Sequence, residues 1–374
     1  MGNSVNAIGR APIHTFYSPR AWIEGAAVDQ LNKVAELADV RAVAAMPDLH
    51  PGKYGPVGCA ILADHIHPEF VGSDIGCGMA LFGLSESARK LRLDKAAERL
   101  RILGEPWDGD APSRLEEAGL AEAGFAASLG TIGGGNHFCE VQAAGDILDA
   151  EAAAGAGLER DALCLLVHSG SRGLGTAILE DLLAGGLVSY DPLSEDGAAY
   201  LGLHDLALRW AALNRAVIAE RAARALRMDA RLIVDAPHNL ATLRDGGVLH
   251  RKGAAVASGL VPVAGSRATL SHLVRWTGRP EAMDTLSHGA GRKYDRAAAR
   301  RRGSTAKSEI AKLTRNPFGG YVVCEDKHLL VEEASDAYKD CEKVIDDLVD
   351  HGLCARVATL KPLVTFKTIR EARR

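Results

Sequence analysis

Forty glycines, gathered into short clusters rather than spread along the chain, constrain this sequence more than any other feature. Between the clusters run short apolar stretches: "CAILADHI" (59–66), "MALFGL" (79–84), "LCLLVH" (163–168), "RLIVDA" (231–236) and "YVVCE" (321–325). Aliphatic, β-branched runs of this length, bounded by residues that tolerate any backbone conformation, predict buried strands joined by tight turns. Helical patterns fall between them less regularly. In 205–228, Leu206, Trp210, Leu213 and Val217 recur at steps of four, three and four and mark one apolar face, with arginines elsewhere. A second helix is expected from a Ser335 or Asp336 cap through Tyr338, Val344, Ile345 and Leu348 to a stop at Gly352, and a third over 91–104. Strands and helices do not alternate one for one, which argues for an α+β fold over a doubly wound parallel sheet. No internal repeat or low-complexity linker divides the chain, so one domain over 1–374 is expected.

The turns carry the chemistry. In "VGSDIGCGMALFGL" (71–84), Asp74 and Cys77 stand three residues apart among glycines. Alone, that pair is better explained by a tight turn with a buried cysteine. Four histidines occupy similar Gly-, Ser- or Asn-rich settings beside strand-like runs: His137 in "GTIGGGNHFCEV", His168 in "LLVHSGSRGLG", His238 in "VDAPHNL" and His288 in "LSHGAGRKYDR". A histidine at a strand end is held by rigid backbone yet projects into a cleft, which suits a metal ligand or a nucleophile. One thiolate, one carboxylate and several imidazoles form a mixed shell compatible with Zn, Mn, Fe or Co. A thiolate can bridge two ions, and two close ions polarise a phosphate. The turns "TIGGGNH" and "HSGSRGLG" can expose backbone N–H groups, and Ser169, Ser171 and Arg172 add donors for anionic oxygen. "HRKGA" (250–254) sets three basic side chains before a glycine, and Arg292 and Lys293 follow His288. Phosphate binding is the expectation, although neither a Walker A motif nor a G-x-G-x-x-G fingerprint is present. The "HRKG" cluster reads equally well as a solvated surface.

The net charge of −4 provides no global positive field, so a nucleic acid would have to be held by a local basic groove. Cys59, Cys77, Cys139, Cys164, Cys324, Cys341 and Cys354 are odd in number and lack framework spacing, which suits a reduced compartment and one special thiol. The start "MGNSVNAIGRAPIHTF" has no charged-then-apolar leader, and Asn6 stands where a myristoylation signal wants Ser or Thr. No apolar run approaches the roughly 18 residues of a membrane span, and a cytoplasmic location with no membrane partner is expected.

The motifs "MPDLHPGKYGPVG", "VGSDIGCGMA", "GTIGGGNHF", "HSGSRG", "HRKGA", "SHGAGR" and "EASDAYKD" occur in the order and context of the RtcB RNA ligases, and the resemblance runs from about Met46 to Lys367. It implies an RtcB-like α+β fold, with mixed or antiparallel sheets surrounded by helices and the metal site in a central cleft. It also implies GTP- and Mn²⁺-dependent joining of RNA ends bearing a 2′,3′-cyclic phosphate or 3′-phosphate to a 5′-hydroxyl, as in tRNA splicing and RNA repair. Matched by motif, Asp74, Cys77 and His137 resemble the ligands of one manganese. Cys77, His168 and His238 resemble those of the other, and Zn²⁺ or another divalent ion would suit the same donors. His288 corresponds to the nucleophile that takes GMP, and Arg172 would stabilise developing negative charge. Asn136, Glu140, Ser266, Ala290, Gly291, Tyr338 and Lys367 correspond to the nucleotide pocket, although Tyr338 alone reads as helix packing.

Two departures stand out. The family ends at Lys-Gly, whereas here Lys367 is followed by "TIREARR", a basic extension over 368–374. Arg267 stands where the family's nucleotide loop carries Met. The short chain resembles the branch encoded beside a release-factor-like protein (release factor H), which implies such a partner and repair of ribosomal RNA. Two other readings compete. A metal-dependent cyclic phosphodiesterase or phosphatase would need the metal ligands but not His288 or the guanine-edge residues. A non-catalytic RNA- or ribosome-binding relative would be expected to have lost Cys77 or His288, and both are present.

Overall fold

The computed structural model describes residues 10–186, 189–244 and 246–369. Strand β1 (Ile13–Thr15) and helix α1 (Gly25–Ala35) precede β2 (Val40–His50), β3 (Val57–Ala63) and β4 (Gly78–Ser87). Helices α2 (Leu93–Leu100) and α3 (Ala111–Glu117) lead to β5 (Phe138–Ile147), α4 (Ala150–Gly155) and β6 (Ala162–Ser169). Then come α5 (Gly173–Ala184), the long α6 (Glu195–Leu226) and β7 (Ala230–Pro237). A run of short strands follows: β8 (Asn239–Arg244), β9 (Gly247–Lys252), β10 (Ala254–Val256), β11 (Leu260–Val263), β12 (Ser271–Trp276) and β13 (Thr285–Ser287). The chain closes with α7 (Arg296–Arg302), α8 (Lys307–Leu313), β14 (Tyr321–Val323), α9 (Lys327–Glu332), α10 (Cys341–Asp350) and β15 (Cys354–Phe366).

Three sheets result. The largest runs β11-β12-β15-β5-β6-β4-β7 with β14 on β15; a second runs β1-β2-β3-β9-β8; β10 and β13 form a ribbon. Pairing is antiparallel except between β1 and β2 and between β14 and β15. The α+β reading therefore holds, with mixed sheets and helices around them. Every expected strand forms; β6 is the most deeply buried, with residues 163–168 all inaccessible or nearly so, whereas β7 is buried only at Ala236 and leaves Leu232 exposed, so the expectation of a buried strand fails there. Leu163, Leu165 and Val167 pack with Ile218, Ala222 and Leu226 of α6 and Ala96 and Leu100 of α2 in one cluster, while Cys164 and Leu166 face a second cluster on the other side of the sheet. Each Leu or Ile so buried contributes about 1.5–3 kcal/mol.

Three expectations need correction. Helix α6 begins at Glu195, ten residues before 205, where the Ser194 side chain accepts a hydrogen bond from the Gly197 N–H. Its arginines are not all on a solvated face: Arg215 and Arg221 are buried. The helix of 341–350 is capped by Asp340, whose side chain accepts from the Glu342 N–H, while Ser335–Ala337 is a 3-10 turn and Tyr338 is extended. Tertiary bonds explain that shift, since the Lys339 N–H donates to Gly291 O and Tyr338 bridges to Arg292. Among the described residues no helix is long and apolar enough to cross a membrane. All seven cysteines are free. The first nine residues, with the Met-Gly-Asn start and Asn6, lie outside the described residues, as do residues 370–374 of the basic extension.

Candidate active site

Neighbouring strands run in opposite directions, so the beginnings of β4 and β5 and the ends of β6 and β7 meet at one edge of the large sheet. The register fixes this edge: Gly78 lies opposite both Ser169 and Pro237, and Phe138 opposite His168. Cys77 and His137 stand one residue before β4 and β5, His168 is the next-to-last residue of β6, and His238 follows β7. All four histidines stand beside strands, as expected, and His238 and His288 directly follow β7 and β13. His137 instead precedes β5, because an edge shared by antiparallel strands is built from beginnings as well as ends.

The donors converge. Cys77 Sγ lies 3.3 Å from His137 Nε2 and 3.2 Å from His168 Nε2; His168 Nε2 is 3.3 Å from His238 Nε2. His137 Nε2 is 2.9 Å from an Asp74 carboxylate oxygen. Two groups, Asp74–Cys77–His137 and Cys77–His168–His238, each have their ligand atoms within 4.8 Å of one another. His168 Nδ1 lies 3.2 Å from the Asn136 carbonyl and so carries the hydrogen, leaving Nε2 with its lone pair toward the cluster. Burial pushes His168 and His238 well below the ordinary histidine range, so both are neutral imidazoles, the ligand form. Burial and the Asp74 charge push the Cys77 thiol well above its usual range, which a bound cation would reverse. One thiol, one carboxylate and three imidazoles gathered this closely fit the binding of divalent cations.

Helix α6 holds these turns from behind. Arg215, fully buried, donates from Nη1 to Gly76 O (2.6 Å) and Ser169 O (2.9 Å) and makes a bidentate pair with Asp235 (2.8 Å to each oxygen). Asn214 donates to Thr131 O, Ser169 Oγ and Gly170 O and accepts from the Gly130 N–H. Two adjacent residues thus pin the turns before Cys77, after His168 and before His137.

His288 stands against this edge, its ring centroid 4.6 Å from that of His238 and 6.4 Å from that of His168. Its Nδ1 lies 2.8 Å from an Asp48 carboxylate oxygen and 2.6 Å from Gly253 O. Both partners only accept, so Nδ1 carries the proton and Nε2 is left nucleophilic. Asp48 is fully buried in β2 and also accepts from Ser287 Oγ (2.8 Å). Burial alone would raise its pKa; the His288 hydrogen bond and charge and the Ser287 hydroxyl outweigh that and hold it low. Lys339 Nζ donates to Pro47 O and Leu49 O on either side. Gly291, at φ +73°, lets the next loop seat on this strand: a Cβ there would lie 2.3 Å from Asp48 O.

A cavity of about 720 Å³ opens from His168 and His288, and all of Asn136, Glu140, Ser266, Ala290, Gly291, Tyr338 and Lys367 line it. Lys367 is buried, with Nζ donating to His137 O (2.9 Å) and 3.8 Å from Glu333, so the Thr368 departure does not remove it from the site. The Tyr338 hydroxyl donates to Glu333 and accepts from Arg292, rather than packing in a helix. Burial raises the Glu140 pKa, with hydrogen bonds from Thr365 and Gln142 opposing. Arg267 is in the wall, donating to Leu330 O. Arg172 is not: it lies on the Asp74 side of the donor cluster, with Nε donating to Thr131 Oγ1.

The "HRKG" cluster is neither a phosphate grip nor a solvated face. Arg251 is buried and satisfied by Thr285, Met283 and Asp284, His250 accepts from the His67 N–H, and Lys252 donates to Glu69 O. Only the Gly253 carbonyl reaches the site. Sequence reasoning missed Asp48, Asn214, Arg215 and Glu333. Asp48 had a legible signal: a lone carboxylate in the apolar run "AVAAMPDLH" must find a partner if that run is a buried strand.

A family model described as tRNA-splicing ligase RtcB matches residues 30–118 and 104–368. The RNA-splicing ligase RtcB2 of Escherichia coli is 41% identical over 98% of this chain and 98% of its own length. The RNA-splicing ligase RtcB of Mycobacterium tuberculosis is 30% identical over 88% of this chain and 97% of its own. The tRNA-splicing ligase RtcB of Archaeoglobus fulgidus is 27% identical, covering 96% and 95%.

Proposed function

This chain belongs to the RtcB family and is an RNA ligase, and on that premise we propose that it joins 2′,3′-cyclic-phosphate or 3′-phosphate RNA ends to 5′-hydroxyl ends, using GTP and Mn²⁺, through a guanylated His288. The observation that carries the reading is the fixed tautomer of His288, with Nδ1–H shared between Asp48 and Gly253 O and Nε2 free to attack. Two Mn²⁺ ions, one on Asp74, Cys77 and His137 and the other on Cys77, His168 and His238, would supply the positive charge that polarises phosphoryl groups.

His288 Nε2 attacks the α-phosphorus of GTP; the N–P bond forms as the bond to pyrophosphate breaks, while Nδ1–H stays with Asp48. GMP then passes from His288 to the RNA 3′-phosphate, and the 5′-hydroxyl attacks that phosphorus, expelling GMP. A cyclic end is first opened to a 3′-phosphate by water. The Glu140 carboxylate suits the N1–H and 2-amino edge of guanine, with Asn136, Ser266, Ala290, Gly291, Tyr338 and Lys367 around the rest of the nucleotide. Arg172, beside Asp74 and outside the nucleotide cavity, suits an RNA phosphate. The resemblance to the branch encoded beside a release-factor-like protein supports a repair role with such a partner and ribosomal RNA as a substrate.

Labelling of the Mn²⁺-loaded protein with α-phosphate-labelled GTP tests this, beside ATP and His288→Ala. Acid-labile label is expected from GTP alone and in the wild type alone. Cyclic-end opening by a wild type that never takes label, with RNA supplied, would reduce the chemistry to phosphodiester hydrolysis.

A further inference from the structure

Basic side chains concentrate in one stretch of an otherwise acidic chain. Residues 292–315 include nine Lys or Arg and two Asp or Glu, a local charge of +7 in a chain totalling −4, so the other 350 residues together carry −11. The stretch forms α7, α8 and the turn between them. Its first part faces the nucleotide cavity, where Arg292 pairs with Glu333 at 3.0 Å. Arg300 pairs with Glu332 and Lys312 with Glu309. Arg301, Lys307 and Arg315 are exposed, and among the described residues none of them has a carboxylate partner. Like charges packed within a Debye length of about 8 Å repel and destabilise the folded surface. A polyanion lying on it would offset that cost.

Beneath the helices is a second cavity, of about 550 Å³, walled by Arg302, Lys312, Arg315 and Ser304, with Glu309 and Asp336 as its carboxylates. Arg267 and Tyr294 line both this cavity and the nucleotide cavity, so the two are neighbours. Arg302 stacks over the Tyr294 ring at 4.2 Å and Arg315 over Tyr321 at 3.7 Å. Arg267 is only 7% exposed, and its Nη1 is buried with no hydrogen-bond partner. An unpaired guanidinium nitrogen costs stability unless something anionic completes it.

We propose that α7, α8 and the cavity beneath them form the surface that holds the phosphate backbone of single-stranded RNA beside the nucleotide cavity, with Arg267 donating to a phosphate at the junction. Guanidinium and phenol planes beside ammonium groups suit a strand with bases to stack and phosphates to neutralise better than an acidic peptide. The proposal rests on the RNA ligase activity and not on guanylation of His288.

The test titrates a fluorescent 3′-phosphorylated single-stranded RNA into the full chain, without GTP, over a series of KCl concentrations. The variant R301E/K307E reverses two exposed charges outside both cavities. Losing two phosphate contacts should make the log–log salt slope shallower by about 1.4 and weaken binding about tenfold or more at low salt. GMP labelling from GTP and thermal unfolding should stay at wild-type values. R267M should weaken RNA binding at every salt concentration. The control K33E/K95E makes the same charge change on α1 and α2 and should leave the slope unaltered. An R301E/K307E slope equal to wild type, or an equal loss in the control, would overturn the proposal. So would polyglutamate of matched charge competing as well as RNA, which would give the surface to an acidic protein partner. A wild type that binds RNA but never takes GMP would count against the His288 reading alone.

Discussion

A histidine is a nucleophile only at the nitrogen that lacks a proton, and Asp48 decides which one that is for His288. Its carboxylate and Gly253 O both accept from Nδ1, leaving Nε2 bare. In Asp48→Asn the side-chain amide can offer its NH₂ to Nδ1, which moves the imidazole proton to Nε2 and blocks attack. GMP labelling of Asp48→Asn should fall by about 10²–10⁴-fold. RNA supplied with its 3′ end already guanylated should still be sealed, since that step does not use His288 Nε2. Labelling within threefold of wild type would sink this assignment of the tautomer. Asp74, Cys77 and the four histidines were legible because each is a chemically scarce residue in a Gly-rich turn. Glu333 was not, because a glutamate in an apparently helical stretch looks solvated until Arg292, Lys367 and Tyr338 are seen around it.

Helix α6 shows how an element far from the reacting atoms sets their positions. Arg215 bonds the backbone before Cys77 and at the end of β6, and its bidentate partner Asp235 lies in β7, two residues before the strand ends ahead of His238. Arg215→Met keeps much of the apolar stem but leaves Asp235 facing a buried methyl and two carbonyls without donors. Removing one partner of a buried pair costs about 3–5 kcal/mol. The expected result is that much loss in urea unfolding, with weakened Mn²⁺ binding by calorimetry. In R215M/D235N the stability should return in part while the metal affinity stays low, because the Gly76 and Ser169 carbonyls remain untethered. Full recovery of both would mean that Arg215 only balances a charge. The apolar stripe of α6 was readable from its period, but the role of its arginines was not. Periodicity tells which side faces a core, whereas which turns lie behind that side depends on distant strand pairing. The misplaced cap at Ser335 has the same origin, since the bond from Lys339 N–H to Gly291 O pulls 335–339 out of the helix.

At the scale of the molecule, the fold class followed from strand runs that do not alternate with helices, while the order β5-β6-β4-β7 that gathers the ligands at one edge comes from pairings far apart in sequence. That same depth of burial gives the whole protein a calculable sensitivity to acid. His50, His204 and His250 are pressed mainly by burial to about 4, about 4 and about 3. Their folded values lie below the ordinary 6.5, so each is neutral when folded, and the unfolded chain binds more protons between pH 6.5 and 4. Their contribution is therefore complete above about pH 6.5 and is lost as pH falls toward 4, or toward 3 for His250, at about 3 kcal/mol each for His50 and His204 and about 5 kcal/mol for His250 when fully expressed. His67 runs the other way. Burial lowers it, but Glu69 and Asp39 outweigh burial and raise it, so its contribution persists in acid and offsets part of the loss. The depressed carboxylates of Asp48 and Glu333 act only below the ordinary carboxylate range, outside this window. Urea unfolding of the chelator-treated protein should thus show stability falling by several kcal/mol between pH 7 and 4.5. His204 accepts from the Ala241 N–H at Nε2, an acceptor that a glutamine carbonyl can replace without titrating. Burial lowers His168, His238 and His272 as well, so His204→Gln should keep the pH 7 stability within about 1 kcal/mol and remove only the share of one of these six histidines from the acid loss. A stability that stays flat from pH 7 to 5, or an acid loss unchanged in His204→Gln, would mean that these imidazoles are hydrated and can protonate in place.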